Sequence, residues 1–439
     1  MLLYSAKTVA ARRLFSTAAV RLSKQQLPLE GVRVVDMTRV LAGPYCTQIL
    51  GDLGAEIIKL EHPTKGDDTR AWGPPFAPYT EHADEVPGHK TGAGLGESAY
   101  FLCVNRNKKS LALNFKSAEG QKIVRDLIAS ADVVIENYVP GTLAKYGLAY
   151  DQLPKPNKVI YASITGYGQT GPYSNRPGYD VMVEAEMGLM HITGDPDGNP
   201  SKVGVAVTDL TTGLYAANSI MAALIHRART GEGQYLDVCL SDCQVATLAN
   251  IASSALISGK PDSGRQGTAH PSICPYQGFP TKNNGQIMIA GGNDTQFQAV
   301  CAAIERPDLA GNPDYATNAL RVKNRKVLVP EISKTTASKT KEEWLEIFEG
   351  KRFPYAPIND IQTTLHHPHV RARNMVVEVD HPACGPLPLV NSPVKYSRTQ
   401  PTIRSPPPML GQHTDEVLSE VLGYDAAQIS ELRKDGVVN

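Results

Sequence analysis

No stretch of this 439-residue sequence approaches the ~18 consecutive apolar residues of a membrane span, so nothing in it argues for a membrane protein. An excess of one charge is missing as well. Lys plus Arg number 44 and so do Asp plus Glu, and without a global basic field nucleic acid is not an expected partner. The seven cysteines (Cys46, Cys103, Cys239, Cys243, Cys274, Cys301, Cys384) show no pairing framework; their odd number and wide scatter fit reduced thiols in an intracellular protein. Cys239 and Cys243 in "VCLSDCQ" lie one helical turn apart with no second pair to complete a zinc set, and His366, His367 and His369 in "LHHPHV" read as a solvated loop, so no metal site is expected. The dinucleotide fingerprint G-x-G-x-x-G is absent. The nearest approach, "GAGLGE" at 92–97, is spaced G-x-G-x-G within a long loop that follows no strand, which argues against a nicotinamide or flavin cofactor.

What is there reads as an ordinary globular protein, with 41% hydrophobic and 20% charged residues and enough length for two or three domains. The start, "MLLYSAKTVAARRLFSTAAVRLSKQQLPLE", carries five basic residues and no acidic one before Glu30, the composition of a mitochondrial transit peptide. Residues 1–26 are therefore set apart from the fold, and a matrix location is expected. "GVRVVDMTRVLAGPYCTQILGDLGAEIIKLE" predicts a βαβ unit, and "SLALNF", the helix "SAEGQKIVRDLIASA" and "ADVVIENY" predict a second. "NKVIYASITGYG" adds another strand, the helix-like "GYDVMVEAEMGLMHITG" follows, and "RTGEGQYLDVCL" supplies an edge strand. This alternation predicts an α/β fold: a Rossmann-like large domain with a parallel sheet over 27–261, a smaller α+β domain over 262–355, and a return to the large domain over 356–439. In the tail, Thr414 and Asp425 each stand where a helix should begin.

One carboxylate stands out. In "GVAVTDLTTGLYAANSIMAALIHR" (204–227), Asp209 sits where an apolar run, read as a strand, meets a helical pattern. Asp is a favoured N-cap, so a structural role is open; the carboxyl edge of a parallel sheet is also where open α/β folds bind ligands, so a nucleophile or base is open too.

Seven stretches bear on the choice: "DMTRVLAGPYCTQILGDLGAEIIKLE", "GDDTR", "VNRNKKSLALNFKSAEG", "ENYVPGTL", "SITGYGQTGPYSNRPGYD", "GVAVTDLTTGLYAA" and "LGQHTDEVL". In this order the chain resembles the class III CoA-transferases, the formyl-CoA:oxalate and carnitine type. The resemblance implies that Asp209 is the nucleophile. It would attack the thioester carbonyl to give a mixed anhydride, which CoA converts to an aspartyl-CoA thioester, and a second acid would then reverse the steps. No bound cofactor is implied, since CoA thioesters are the substrates. An aspartate of ordinary pKa, ~3.9, would be ionised without a neighbouring base.

The resemblance further places CoA contacts on Leu113, Asn114, Phe115 and Lys116, on Asn137, Tyr138 and Val139, on Lys145, and on the segment holding Arg176 and Tyr179, with Lys116 and Lys145 carrying charge for the phosphates. The glutamine of the oxalate enzyme falls on Leu41, which suits a longer, partly apolar dicarboxylate. Arg39, with His270 and Ser272 in the loop "RQGTAHPS" (265–272), is the expected partner for the distal carboxylate, and that loop is also the expected source of oxyanion-stabilising amides. An interlocked homodimer is implied by the resemblance alone. Two alternatives stay open at this point: an α-methylacyl-CoA racemase, whose histidine falls on Tyr179, and a non-catalytic CoA-binding protein.

Overall fold

The computed structural model describes residues 26–86, 96–262 and 264–439. Apart from Gln26 the expected transit segment lies outside the described residues, as does most of "GAGLGE".

Six parallel strands build the main sheet: β1 (Arg33–Asp36), β2 (Glu56–Glu61), β3 (Lys108–Ala112), β4 (Val133–Glu136), β5 (Ile160–Thr165) and β6 (Tyr235–Cys239). Their spatial order is β3-β2-β1-β4-β5-β6, with β6 at one edge as expected. The strand order therefore reverses between β1 and β4, where a doubly wound sheet opens a crevice at its carboxyl edge. The inner strands are apolar on both faces because both faces are covered. On one side Val35, Ile58, Leu111 and Val134 meet Ile123, Val124 and Leu127 of a helix over Ala118–Ala129 begun by the Ser117 cap. On the other, Val34, Ile57, Ile135 and Ile164 meet two helices, α1 (Ala42–Asp52) and the long helix Val207–Thr230.

The tail returns to the first of these faces: Val417, Leu418, Ile429, Leu432 and Val438 join that core, and Asn114 N–H donates to the Val437 carbonyl at 2.8 Å. Asp425 caps the helix Ala426–Lys434, as the sequence predicts. Thr414 does not cap; its hydroxyl accepts from Ala112 N–H at 3.2 Å, so it fastens the tail to β3 instead. In chain order, between β6 and the tail, comes a smaller antiparallel sheet of Tyr276–Pro280, Gln286–Ala290 and Tyr355–Pro357, packed through Phe279 and Ile287 onto Phe297, Leu328, Trp344 and Phe348.

Two local expectations are corrected. "GYDVMVEAEMGLMHITG" is two short helices, Asp180–Glu186 and Leu189–Ile192, divided at Gly188, which takes a positive φ of 86°. No strand precedes Asp209: Val203 N–H is held by Glu184 at 3.0 Å and Val205 is exposed, so four apolar residues were too few to bury a strand.

Candidate functional site

The long helix begins at Val207, after Ala206, and Asp209 lies within its first turn rather than at the cap. The free amides of that turn are served from another element. Asp180 Oδ1 accepts from Thr208 N–H at 2.8 Å and from Asp209 N–H at 3.0 Å. The structural role open to Asp209 is thus filled by Asp180, and the Asp209 carboxylate is left to line a cavity of about 280 Å³. Close packing aims the helix there: a Cβ on Gly213 would stand 2.7 Å from the Ala42 carbonyl oxygen, so only glycine lets this helix approach the start of α1.

The cavity sits at the crevice predicted by the strand order. Its walls are the loop after β1 (Arg39, Val40, Leu41), the loop after β4 (Asn137, Tyr138, Val139), the end of β5 at Gly166, and the segment Arg176–Tyr179. The first two loops are stitched together by Asn137, which accepts from Arg39 N–H at 3.0 Å and donates to the Arg39 carbonyl at 2.7 Å. The last two cross at paired glycines, where a Cβ on Gly166 or Gly178 would fall 2.6 Å from the other's Cα.

A second cavity, about 410 Å³, opens on the other side of Arg39 and Tyr138, which line both. It holds Leu113, Asn114, Phe115 and Lys116. Phe115 packs edge-on against Tyr138 (5.7 Å between ring centroids) and Tyr146 (5.5 Å). His62 and Lys65 share this lining with Lys116, and burial followed by the charges of Lys65 and Lys116 lowers the His62 pKa.

Most of the expected residues are therefore brought together: Asp209, Leu41, Asn137, Tyr138, Val139, Arg176 and Tyr179 around one cavity, Leu113–Lys116 around its neighbour. Arg39 lies between them, paired with Asp68 at 2.7 Å and 5.6 Å from the centre of the Tyr138 ring. Arg176 is engaged by Glu186 at 2.8 Å. Lys145 is exposed on the turn Leu143–Tyr146 and lines neither cavity.

His270 and Ser272 line neither cavity either. Their loop is folded against the small sheet: His270 stacks on Tyr276 at 5.4 Å and Ser272 N–H donates to His270 Nδ1 at 3.1 Å, while Gly267 N–H donates to the Gly194 carbonyl at 2.9 Å. Within one chain, the helix starts that border the Asp209 cavity include Leu41–Ala42, at the head of α1, and Leu240, at the head of Leu240–Thr247; neither helix has a side-chain cap. Sequence reasoning missed Asp180, Glu184, Tyr100, His62 and Lys65. Asp180 follows Tyr179 directly in "RPGYD", and a basic residue pair in "EHPTKGDD" after a strand was the available signal for the other cavity.

The electrostatics also depart from the expectation of an ordinary aspartate. Burial, and then the nearby Asp180 charge, push Asp209 up to about 7. Burial followed by the Asp209 charge pushes the Tyr100 phenol up to about 12. If the carboxylate is the reacting form, catalysis must fade as it is protonated. The expected kcat/KM of the free enzyme is therefore flat above about pH 8 and falls toward tenfold per pH unit below about pH 6. A profile still flat at pH 5.5 would contradict this assignment of Asp209.

Comparison with known proteins covers most of the chain. A family model described as CoA-transferase family III matches residues 29–414. Over 413 residues the chain is 48% identical to a human protein named succinyl-CoA:glutarate CoA-transferase, covering 94% of this chain and 90% of that one. It is 45% identical over 395 residues to an Agrobacterium fabrum succinate--glutarate CoA-transferase, covering 90% and 96%. Among solved structures, a CAIB/BAIF family protein from Brucella suis superposes with a TM-score of 0.80 at 41% identity, over 90% of this chain and all of that one.

Proposed function

The chain belongs to CoA-transferase family III and is a CoA-transferase, and from that premise we propose that it moves CoA from succinyl-CoA to glutarate through a covalent intermediate on Asp209. The observation that carries the covalent reading is the placement of Asp209: its capping duty is taken by Asp180, and its carboxylate lines a cavity at the sheet's carboxyl edge. The Asp209 carboxylate attacks the succinyl thioester carbonyl and expels CoA thiolate, giving a mixed anhydride. The thiolate then attacks the aspartyl carbonyl and releases succinate. A glutarate carboxylate attacks the resulting aspartyl-CoA thioester, re-forming an anhydride and the thiolate, and thiolate attack on the glutaryl carbonyl yields glutaryl-CoA and free Asp209. One thioester replaces another, so neither ATP nor a bound cofactor is called for. A carboxylate near neutrality in its pKa is a stronger nucleophile than an ordinary one while still largely ionised in a slightly alkaline compartment.

CoA spans both cavities in this reading. The reacting thioester lies with Asp209, and the nucleotide lies over Phe115 and Tyr146 with its phosphates toward Lys116, Lys65 and His62. Purified protein should release glutaryl-CoA from succinyl-CoA and glutarate; absence of exchange with these and related dicarboxylates would reject the reading. Arg39, on the border of the two cavities, is assigned to the distal carboxylate of the acceptor. Arg39→Leu is expected to raise the KM for glutarate about tenfold or more while barely moving the KM for succinyl-CoA; the reverse split would place Arg39 on the nucleotide side.

A homodimer belongs to the same proposal. The helix Ala249–Ser258 has no buried residue, and Leu256 and Ile257 are 84% and 87% exposed, an apolar surface that a second copy would cover. The location proposed is the mitochondrial matrix, on the basic, acid-free start of the sequence. Residues 1–30 fused to a fluorescent reporter should direct it to mitochondria, and cytosolic fluorescence would refute the location.

A further inference from the structure

Asp180 and Glu184 stand one turn apart on the helix Asp180–Glu186, and both side chains are buried, with relative exposures of 6% and 0%. Each carboxyl group spends one oxygen on backbone amides. Asp180 Oδ1 takes Thr208 and Asp209, and Glu184 Oε2 takes Val203 N–H at 3.0 Å. The remaining oxygens, Asp180 Oδ2 and Glu184 Oε1, are buried, and among the described residues no other group supplies them a donor. Residues at i and i+4 share a helix face, so these two oxygens are the natural partners of each other. Two carboxylates cannot bond, because each only accepts; one proton between them satisfies both atoms.

We propose that Glu184 is a positioning residue for the reaction: it carries a proton that it donates to Oδ2 of Asp180, and the bonded pair fixes the orientation and the single negative charge beside Asp209. Burial raises the Glu184 pKa, the bond from Val203 N–H opposes it, and the adjacent Asp180 adds to the rise. Groups from other elements also act on the pair: Lys202, from the loop before the long helix Val207–Thr230, opposes the shift, and Asp209 and Tyr100 lie within its electrostatic reach. Gln244, from the helix Leu240–Thr247, completes the frame by accepting from the Thr208 hydroxyl at 2.5 Å. The chemistry is that of a shared-proton carboxyl dyad in which only one member reaches the reacting aspartate, through the backbone amides of its helix.

The inference rests on Asp209 being the reacting carboxylate, and its test has one arm that does not. Glutamine imitates a protonated glutamate; methionine keeps the bulk and donates nothing. Glu184→Met is expected to lower kcat/KM for CoA exchange about tenfold or more. It should also shift the acid limb of the pH profile, because the Asp180 charge beside Asp209 is no longer held in one orientation. Glu184→Gln should restore most of the lost activity. Separately, infrared difference spectra of the substrate-free full chain at pH 8 should show a protonated carboxyl band that disappears in Glu184→Gln and persists in Asp209→Asn. A spectrum unchanged by Glu184→Gln, or a Gln variant as impaired as the Met variant, would overturn the proposal. If the wild-type protein exchanges no CoA, the functional reading fails and the infrared arm still decides where the proton is.

Discussion

Replacing Asp209 by asparagine should abolish CoA exchange and, in the same protein, raise its stability at pH 8. The first effect follows from chemistry: an amide is neutral and forms no anhydride, so the loss should reach the background of the assay. The second follows from linkage. Asp209 is held up to about 7 in the folded chain against about 3.8 when unfolded, so the folded state binds a proton that the unfolded state does not across that window. Its contribution to stability is therefore most favourable in acid. It declines as pH rises through the window, and above about pH 7 the folded protein carries an uncompensated, largely buried charge beside Asp180. The full interval corresponds to an upper bound of about 4 kcal/mol, and the solvent access that Asp209 retains trims this to about 1–3 kcal/mol. Asp209→Asn removes the charge, so its melting temperature should exceed that of the wild type by a few degrees at pH 8 and by much less at pH 5. A site under selection for stability alone would not show this sign.

The opposite outcome is expected from Lys59→Met, which should cost about 3–5 kcal/mol. Lys59 is fully buried in β2, and its Nζ donates to Asp67 Oδ2 and to the Thr38 carbonyl, each at 2.9 Å. Asp67 in turn accepts from Val40 N–H at 3.2 Å and from Thr69. Both anchors hold the loop after β1, where Val40 takes a φ of +74°, a conformation that a β-branched residue adopts only when its surroundings enforce it. Burial pushes Asp67 up, but the Lys59 charge and the Thr69 bonds win and bring it to about 2; burial likewise opposes the Lys59 charge, and the Asp67, Asp36 and Glu61 charges outweigh it, raising its pKa. The pair's stabilisation is therefore fully present between about pH 4 and pH 10. It is lost in acid as Asp67 protonates and in strong alkali as Lys59 discharges. Methionine strands Asp67 in the core. Chemical denaturation should show the loss at pH 7, and Lys59→Met/Asp67→Leu should recover part of it, since no unpaired charge then remains. A single variant within 1 kcal/mol of wild type would show that the pair is not what holds this loop.

That network marks where the sequence was hardest to read. "EIIKLE" was legible as a strand from its apolar residues, yet the lysine and the final glutamate inside it would ordinarily be assigned to a solvated face. They are buried because the loops that pair with them, "GDDTR" above all, come back over the strand end from outside the βαβ unit. The parallel sheet was legible because several of its strands are short apolar runs and helical patterns stand between some of them. Asp209 was legible as a residue but not as a geometry: its cap role is removed by Asp180, some thirty positions earlier, a contact no local pattern encodes. The pocket-lining segments expected to meet the nucleotide came from resemblance, and periodicity alone would have left Lys116 an ordinary surface lysine. His270 and Ser272 were placed near Asp209 by the appeal of a glycine-containing loop, and the His270–Tyr276 stack shows where that loop is spent within one chain.

The covalent role proposed for Asp209 can be tested on an oxygen atom. When glutarate labelled with ¹⁸O in its carboxylates attacks an aspartyl-CoA thioester, its oxygen becomes the bridge of the anhydride, and attack of CoA on the glutaryl carbonyl leaves that bridge oxygen on the enzyme. After turnover with unlabelled succinyl-CoA, digestion and mass spectrometry should find ¹⁸O in the peptide containing Asp209, at its carboxylate, and nowhere else in the chain. Exchange that proceeds at the wild-type rate while this peptide stays unlabelled, or while the label settles on another carboxylate, would contradict the account.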